Sequence, residues 1–318
     1  MASAPRKLAR DLAARIPPVA RLAAERDRER AKRRKLQAEL AAYRHGYPPG
    51  HFYSPIPDLE DIRAREAEIF DRRSPQVPGI DLHEADQLAL LPAFAGFYAD
   101  QPFGEEPSGG LRYGFTNNYF GHGDGLALYS MLRHLQPRRL VEVGSGWSSA
   151  LALDVNDRFL EGRTECTFLE PYPDRLRGLL RPEDHDRVRI VEKPVQAVPD
   201  EVFTDLEPGD LLFIDSTHVS RVGSDVNRLF LEVLPGLPAG VHVHVHDIFW
   251  PFEYPEAWVF EGRAWNENYL LRALLVGNEN LRITWFNDYL GRFHSDAVER
   301  ALPLWRRNPG GSIYLVTG

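Results

Sequence analysis

Apolar positions along the second half of this chain alternate between two spacings. "DGLALYSMLRHLQP" (124–137) carries helical spacing and stops at Pro137. "RRLVEVG" (138–144) is a short apolar run closed by glycine, which predicts a buried strand. Helical "SSALALDVNDRFL", strand-like "ECTFLEP", helical "PDRLRGLL" and strand-like "VRIVEKP" follow. "GDLLFIDS" reads as a strand, "SDVNRLFLEVLPGL" as a helix, "GVHVHVHDIF" as a strand and "WNENYLLRALLVGN" as a helix. "LRITWFN" and "GSIYLVTG" close the chain as two more strands, which allows an antiparallel hairpin at the sheet edge. Strands alternating with helices of about 10–15 residues predict βαβ units and a parallel sheet.

The first hundred residues follow another pattern. Residues 19–44, "VARLAAERDRERAKRRKLQAELAAYR", are strong helix formers behind Pro17-Pro18, with few apolar positions. "HGYPPGHFYSPIPDLEDI" (45–62) predicts an extended segment wrapping the body, with Phe52, Tyr53 and Ile56 seeking burial. Residues 58–74 and 83–101 each read as helical. The fold class is therefore α/β: a Rossmann-like doubly wound sheet, mostly parallel with an antiparallel edge strand, carrying an N-terminal helical extension. The expected division is 1–104 for the extension and 105–318 for the sheet domain.

Charge sharpens this picture. The net charge is −8, yet residues 1–40 alone carry 12 Lys or Arg against 5 Asp or Glu. The acidic remainder disfavours nucleic-acid binding, which rests on phosphate neutralisation. The basic helix reads as a solvated, charge-laced face, and alternatively as an arm for an anionic surface, a partner or a second copy. The single cysteine, Cys166, excludes an internal disulfide and a cysteine-rich metal cage. No apolar run approaches the ~20 residues that span a membrane, and the start lacks a secretory apolar core. A cytoplasmic location is expected.

The most informative stretch is "LVEVGSGWSS" (140–149): a buried strand, an acidic residue, a Gly-x-Gly turn and a helix. Glycines let a backbone pass close to a ligand, and the next helix offers free N–H groups. The third position is Ser149, so this is not G-x-G-x-x-G, and no G-K-[ST] follows. A dinucleotide or triphosphate is therefore disfavoured. The chain here resembles the class I S-adenosylmethionine-dependent methyltransferases, whose acidic residue and Gly-x-Gly turn match Glu142, Gly144 and Gly146. The resemblance implies that the turn borders the methionine part of S-adenosylmethionine, with Glu142 nearby and Ser145, Trp147 and Ser148 lining the same turn. It also implies that Glu170, closing "TFLEP", accepts the ribose hydroxyls. "EVGSGWSS", "FIDSTHVSRVGSDVN" and "HVHDIFWPFEYPEAW" further resemble a bacterial subgroup distantly similar to the metal-dependent O-methyltransferases of macrolide sugars.

Ligands in such sheets sit beyond the carboxyl ends of strands. Asp215 closes the fourth predicted strand; His246 and Asp247 close the fifth. In metal-dependent O-methyltransferases the matching positions hold Mg²⁺, so the resemblance implies a metal set of Asp215, Asp247 and, in place of an acid, His246. Imidazole suits Mn or Fe better than Mg. Three readings stay open: a metal site, which could also draw on His218; a metal-free site with His218 or His246 as base and Asp215 beside it; and a structural role. Alternation puts His242 and His244 on the same face as His246 but deeper along the strand, where core histidines with hydrogen-bond partners are expected.

Asp225 reads as an N-cap or first-turn acid. "FWPFEYPEAW" (249–258) reads as a lid or substrate wall. Asn266 and Glu267 could face the pocket, as could Asn117, Asn118, Tyr119 and Asp124. The expected function is methyl transfer from S-adenosylmethionine to a hydroxyl, or less readily an amine, of a small molecule such as a sugar or natural product. Metal-dependent non-methyl chemistry on the same fold, and a non-catalytic scaffold, are the alternatives.

Overall fold

The alternation read from residue 124 onward becomes a seven-stranded sheet in the computed structural model, which describes residues 17–43 and 46–318. The strands are β1 (Arg139–Val143), β2 (Glu165–Leu169), β3 (Arg189–Val191), β4 (Leu211–Ile214), β5 (His242–Val245), β6 (Leu281–Phe286) and β7 (Ile313–Thr317), in the order β3-β2-β1-β4-β5-β7-β6. β1 runs parallel to both β2 and β4, β2 to β3, and β4 to β5; β7 runs antiparallel to β5 and β6. The antiparallel strand thus lies one place in from the edge that β6 occupies. Between β6 and β7 stand two helices, Asn287–Phe293 and Ser295–Ala301, where the hydrophobic pattern predicts a hairpin. Leu211–Ile214 are buried throughout, as expected of a central strand covered on both faces.

The described residues divide into two compact units, one through Glu66 and one from Ala67 to Gly318. The break therefore falls well before the expected 104. Residues beyond it belong with the sheet because they complete its edge. Gln87 accepts a hydrogen bond from the Phe286 N–H of edge strand β6 at 2.8 Å, and Phe94 packs 5.0 Å from Trp285. The predicted helix at 83–101 forms as Glu84–Ala89 and Leu91–Tyr98, since Pro92 offers no N–H to continue the first ladder. Residues 58–74 likewise form two short helices, Leu59–Ala64 and Glu66–Ile69.

In the first unit the basic helix spans Pro17–Tyr43; the basic residues that precede it lie outside the described residues. The expectation that Phe52, Tyr53 and Ile56 are buried does not hold: they are 81%, 63% and 44% exposed. The Pro-Gly turn instead folds the ring of His51 onto those of Tyr47 and Phe52, at 4.4 and 4.3 Å. No helix among the described residues is long and apolar enough to cross a membrane.

Candidate active site

β1 leads one half of the sheet toward β2 and β3, and β4 leads the other toward β5, so the chain reverses between β1 and β4. The backbone locks these ends together: Asp215 N–H donates to Val143 O at 2.8 Å and His246 N–H to Ile214 O at 2.9 Å. A cleft of about 820 Å³ opens there, at the switch point where such sheets bind ligands. It gathers Gly144, Ser145, Glu170, Asp215, His218, His246 and Asp247, together with Asn117, Asn118, Tyr119 and Asp124.

On one side stands the glycine turn. Gly144 has φ +78°, and a Cβ there would stand 1.9 Å from the Asp215 carbonyl oxygen. Only glycine lets β1 turn under β4 so tightly. Glu170 faces the turn from the end of β2, accepting from Ser145 N–H at 3.2 Å and Tyr172 N–H at 2.8 Å. A carboxylate fixed by two backbone donors, beside a turn with no side chain in the way, fits a nucleoside carrying ribose hydroxyls.

Glu142, which the resemblance implies to lie near the cofactor, does not line the cleft. It is 1% exposed and lies behind the turn, accepting from Ser148 Oγ and, at 2.7 Å, from Ser149 Oγ. Ser149 Oγ in turn accepts from Gly146 N–H at 3.0 Å. Glu142 therefore organises the first turn of the helix Trp147–Phe159 from within. Gly146, Trp147 and Ser148 likewise do not line the cleft, because the helix begins there and carries them away from it. Burial pushes the Glu142 carboxyl up to about 8, against the serine hydroxyls. The folded state thus holds this proton more tightly than the unfolded chain does. The stability it contributes is complete below the ordinary carboxylate range and is lost as pH rises toward about 8. Glu142→Gln should abolish that part of the pH dependence, so its urea midpoint falls less between pH 5 and pH 8 than the native one. Parallel declines would refute it.

On the other side, His218 is the centre. Its ring is 8% exposed, with Nδ1 donating to Glu267 Oε2 at 2.7 Å and Nε2 lying 3.4 Å from Asp215 Oδ1 and 3.6 Å from Asp247 Oδ2. Glu267 is held in turn by Ser216 Oγ at 2.6 Å, and the Trp265 ring lies 4.3 Å from the imidazole. His218 and Asp247 both adopt left-handed backbone, φ +60° and +57°, a strain that clusters at functional sites. Burial opposes charge on His218, but Asp215 and Glu267 outweigh it and hold the pKa well above its ordinary value. The converging carboxylates favour the protonated form of the ring. Burial likewise opposes charge on His246, but Asp247, Asp215 and Asp124 raise its pKa. Burial raises the Asp247 carboxyl, against the pull of His246 and His218.

Asp215, His246 and Asp247 share one wall, yet they do not make the metal set implied by resemblance. His246 Nε2 lies 3.6 Å from Asp247, and His218 Nε2 already occupies the gap between the carboxylates of Asp215 and Asp247. Among the described residues no three His, Cys, Asp or Glu side chains are grouped to hold an ion.

Of the deeper histidines, His244 is a core residue, as its strand position predicts, while His242 at the start of β5 is only half-buried. His244 is fully buried, stacked 3.8 Å from Phe213, and burial keeps it neutral; His242 is pushed down to about 4 by burial. The expected hydrogen-bond partners are missing for His244, neither of whose ring nitrogens has one among the described residues. Asp225 is a first-turn acid behind Ser224, the actual N-cap, and binds the Thr217 N–H and hydroxyl at 2.8 and 2.6 Å. The segment 249–258 divides: Phe249 and Trp258 face the cleft, while Trp250, Phe252 and Tyr254 are core. Arg175, Arg263, Trp265 and the Asn308–Gly311 turn also line the site and escape the sequence reading. The Gly310-Gly311 pair before β7 was the available signal, since adjacent glycines mark close backbone approach.

Sheet order, switch-point cleft, glycine turn and strand-end carboxylate are together the arrangement of a ligand-binding α/β fold. Residues 141–248, from β1 to just past β5, match the family model described as a methyltransferase domain. An uncharacterised protein of Archaeoglobus fulgidus is 39% identical over 166 residues, covering 51% of this chain and 74% of that protein. Two solved structures are more distant. The S-adenosylhomocysteine-bound methyltransferase PaMTH1 of Podospora anserina is 15% identical, with 83% of this chain and 99% of that one covered and a TM-score of 0.38. The O-methyltransferase TomG of Streptomyces achromogenes, involved in tomaymycin synthesis and solved with S-adenosylmethionine, is 17% identical, with 81% and 96% covered and a TM-score of 0.38. Both overlaps are too loose to place a residue. The chain thus carries a methyltransferase domain over residues 141–248.

Proposed function

We propose that this enzyme methylates a hydroxyl oxygen of a small-molecule acceptor without a metal, using the His218 imidazolium as a fixed cation and Asp247 as the proton acceptor. The observation that carries this reading is His218 itself: anchored through Nδ1 by Glu267, its Nε2 faces Asp215 and Asp247 at the cleft wall. S-adenosylmethionine supplies an electrophilic methyl carbon when bound. Gly144, Ser145 and Glu170 hold it by the turn and the ribose. The remaining task is to make a hydroxyl nucleophilic at the moment the new O–CH₃ bond forms and the S–CH₃ bond breaks. A charged imidazole stabilises negative charge on the acceptor oxygen, the service a divalent ion performs elsewhere. The hydroxyl proton goes to Asp247, whose burial makes it a stronger base than an exposed carboxylate. This replaces the expectation that His218 or His246 is the base, because a ring already protonated cannot accept the proton.

The test is methyl transfer from labelled S-adenosylmethionine before and after exhaustive chelation. Activity should survive chelation and be unchanged by added Mg²⁺, Mn²⁺ or Fe²⁺. Loss that any of these ions restores would refute the metal-free reading, and absence of S-adenosylmethionine binding by calorimetry would end the assignment of Gly144, Ser145 and Glu170.

A further inference from the structure

Methyl transfer as such makes no use of the aromatic wall of the cleft. Phe249 meets Trp258 edge-on at 5.1 Å, Trp258 meets Trp265 at 5.4 Å, and Trp265 lies 4.3 Å from His218. All four line the cleft, so a continuous run of rings leads to the reacting centre. Flat faces at this spacing suit a planar guest, because offset and edge contacts between rings add to simple burial.

A cation sits on the same wall. The Arg263 guanidinium lies 4.1 Å from the Trp258 centroid and 5.1 Å from that of Trp265. Glu261 takes its Nε and Nη2, at 3.0 and 2.9 Å, and among the described residues nothing accepts from Nη1. An arginine stacked on two indoles and pinned along one edge is pre-organised to offer the rest of its fork to an oxyanion. The other guanidinium of the cleft, Arg175, belongs to the opposite side: it lies 4.0 Å over Tyr119, with its Cδ 3.2 Å from where a Cβ on Gly146 would stand.

Charge then sets the orientation of a guest. At one end of the cleft, where His218 faces the guest's hydroxyl oxygen, Asp124, Asp215 and Asp247 crowd His218 and His246 and disfavour a guest's carboxylate. Arg263 is where such a group is stabilised, and Trp265 touches both Arg263 and His218, so the two lie about one indole apart. Resting on the reading that this site methylates a hydroxyl, we propose that the acceptor is a hydroxylated aromatic carboxylate. Its ring lies along Trp258 and Trp265, its carboxylate meets Arg263 Nη1, and its hydroxyl meets His218.

The full-length protein loaded with S-adenosylhomocysteine is titrated by calorimetry with three probes: 3,4-dihydroxybenzoate, catechol, which lacks the carboxylate, and glucuronate, which lacks the flat ring. Dihydroxybenzoate should bind at least tenfold more tightly than either. Arg263→Gln should narrow its lead over catechol to less than threefold, and Arg263→Lys should keep only part of it. Equal binding of catechol or glucuronate, no binding of any probe, or a lead untouched by Arg263→Gln would overturn the proposal. The comparison among probes on the native chain decides it even if a variant fails to fold. Turnover with labelled S-adenosylmethionine separates the two levels. Selective binding of dihydroxybenzoate with no methylation of its hydroxyls sinks the hydroxyl-transfer reading alone, and methylation of catechol or glucuronate in preference sinks the acceptor class alone.

Discussion

Gly144→Ala is expected to abolish S-adenosylmethionine binding and to destabilise the fold. The residue sits at φ +78°, and a methyl there would meet the Asp215 carbonyl oxygen at 1.9 Å. No rotamer relieves this, because the backbone fixes where a Cβ stands and the atom it meets is itself backbone. The left-handed conformation costs an alanine roughly 1–2 kcal/mol, and forcing a carbon into a packed site adds roughly 1–3 kcal/mol. The strands cannot separate freely either, since Gly144 N–H donates to Leu169 O at 3.1 Å and Asp215 N–H to Val143 O at 2.8 Å. Relief must come from moving the end of β1 against β4, which displaces the turn from Glu170 and Asp215 together. Urea denaturation should show a loss of about 3 kcal/mol or more on those same magnitudes, with no calorimetric signal for the cofactor. A variant that binds S-adenosylmethionine as the native protein does would show that the turn is not where the cofactor lies.

His218→Gln should lower kcat by about 10²–10⁴, the range typical of removing a positioned acid–base or electrostatic group, with a much smaller change in cofactor affinity. Glutamine retains a side-chain donor but no charge, so it separates the cation from the hydrogen bond. The pH profile is the sharper readout. On the proposed mechanism Asp247 must be ionised to take a proton, and its carboxyl is raised by burial, so activity should rise above the ordinary carboxylate range. On the same mechanism His218 must stay protonated, and its pKa is raised well above the usual imidazole value, so activity should fall again only on the alkaline side. The profile is a bell, and His218→Gln should lose its alkaline limb. If His218 were the base instead, native activity would climb through its raised pKa and show no alkaline fall.

Much of this arrangement is legible from residue order. The strand–Gly-x-Gly–helix pattern at 140–149, the acid ending β2 and the Asp closing β4 all stand where the alternation of apolar runs places them, because period-two and helical patterns report which face of an element is buried. The alternation in "VHVHVHDIF" likewise separates His246 from His242 and His244. Glu142 is different. Its spacing suggests the cleft, but two serine hydroxyls on the first turn of the following helix draw it into the interior. The partnership of His218 with Glu267 joins residues 49 positions apart, a distance across which local periodicity carries no information. Arg263 escaped notice for the same reason, since a lone arginine becomes a binding group only when two indoles fix its plane.

What the sequence by itself determined is the class of fold and the strand-end positions that face a ligand. These follow from burial periodicity and from glycine's freedom at positive φ, both properties of neighbouring residues. What only the tertiary structure decided is which carboxylates surround His218. Whether His218 is a base, a metal ligand or a cation depends on how many carboxylates converge on one ring and how far water is excluded from it. Both are set by contacts between distant parts of the chain, here the ends of β4 and β5 and the start of the helix Glu267–Leu275.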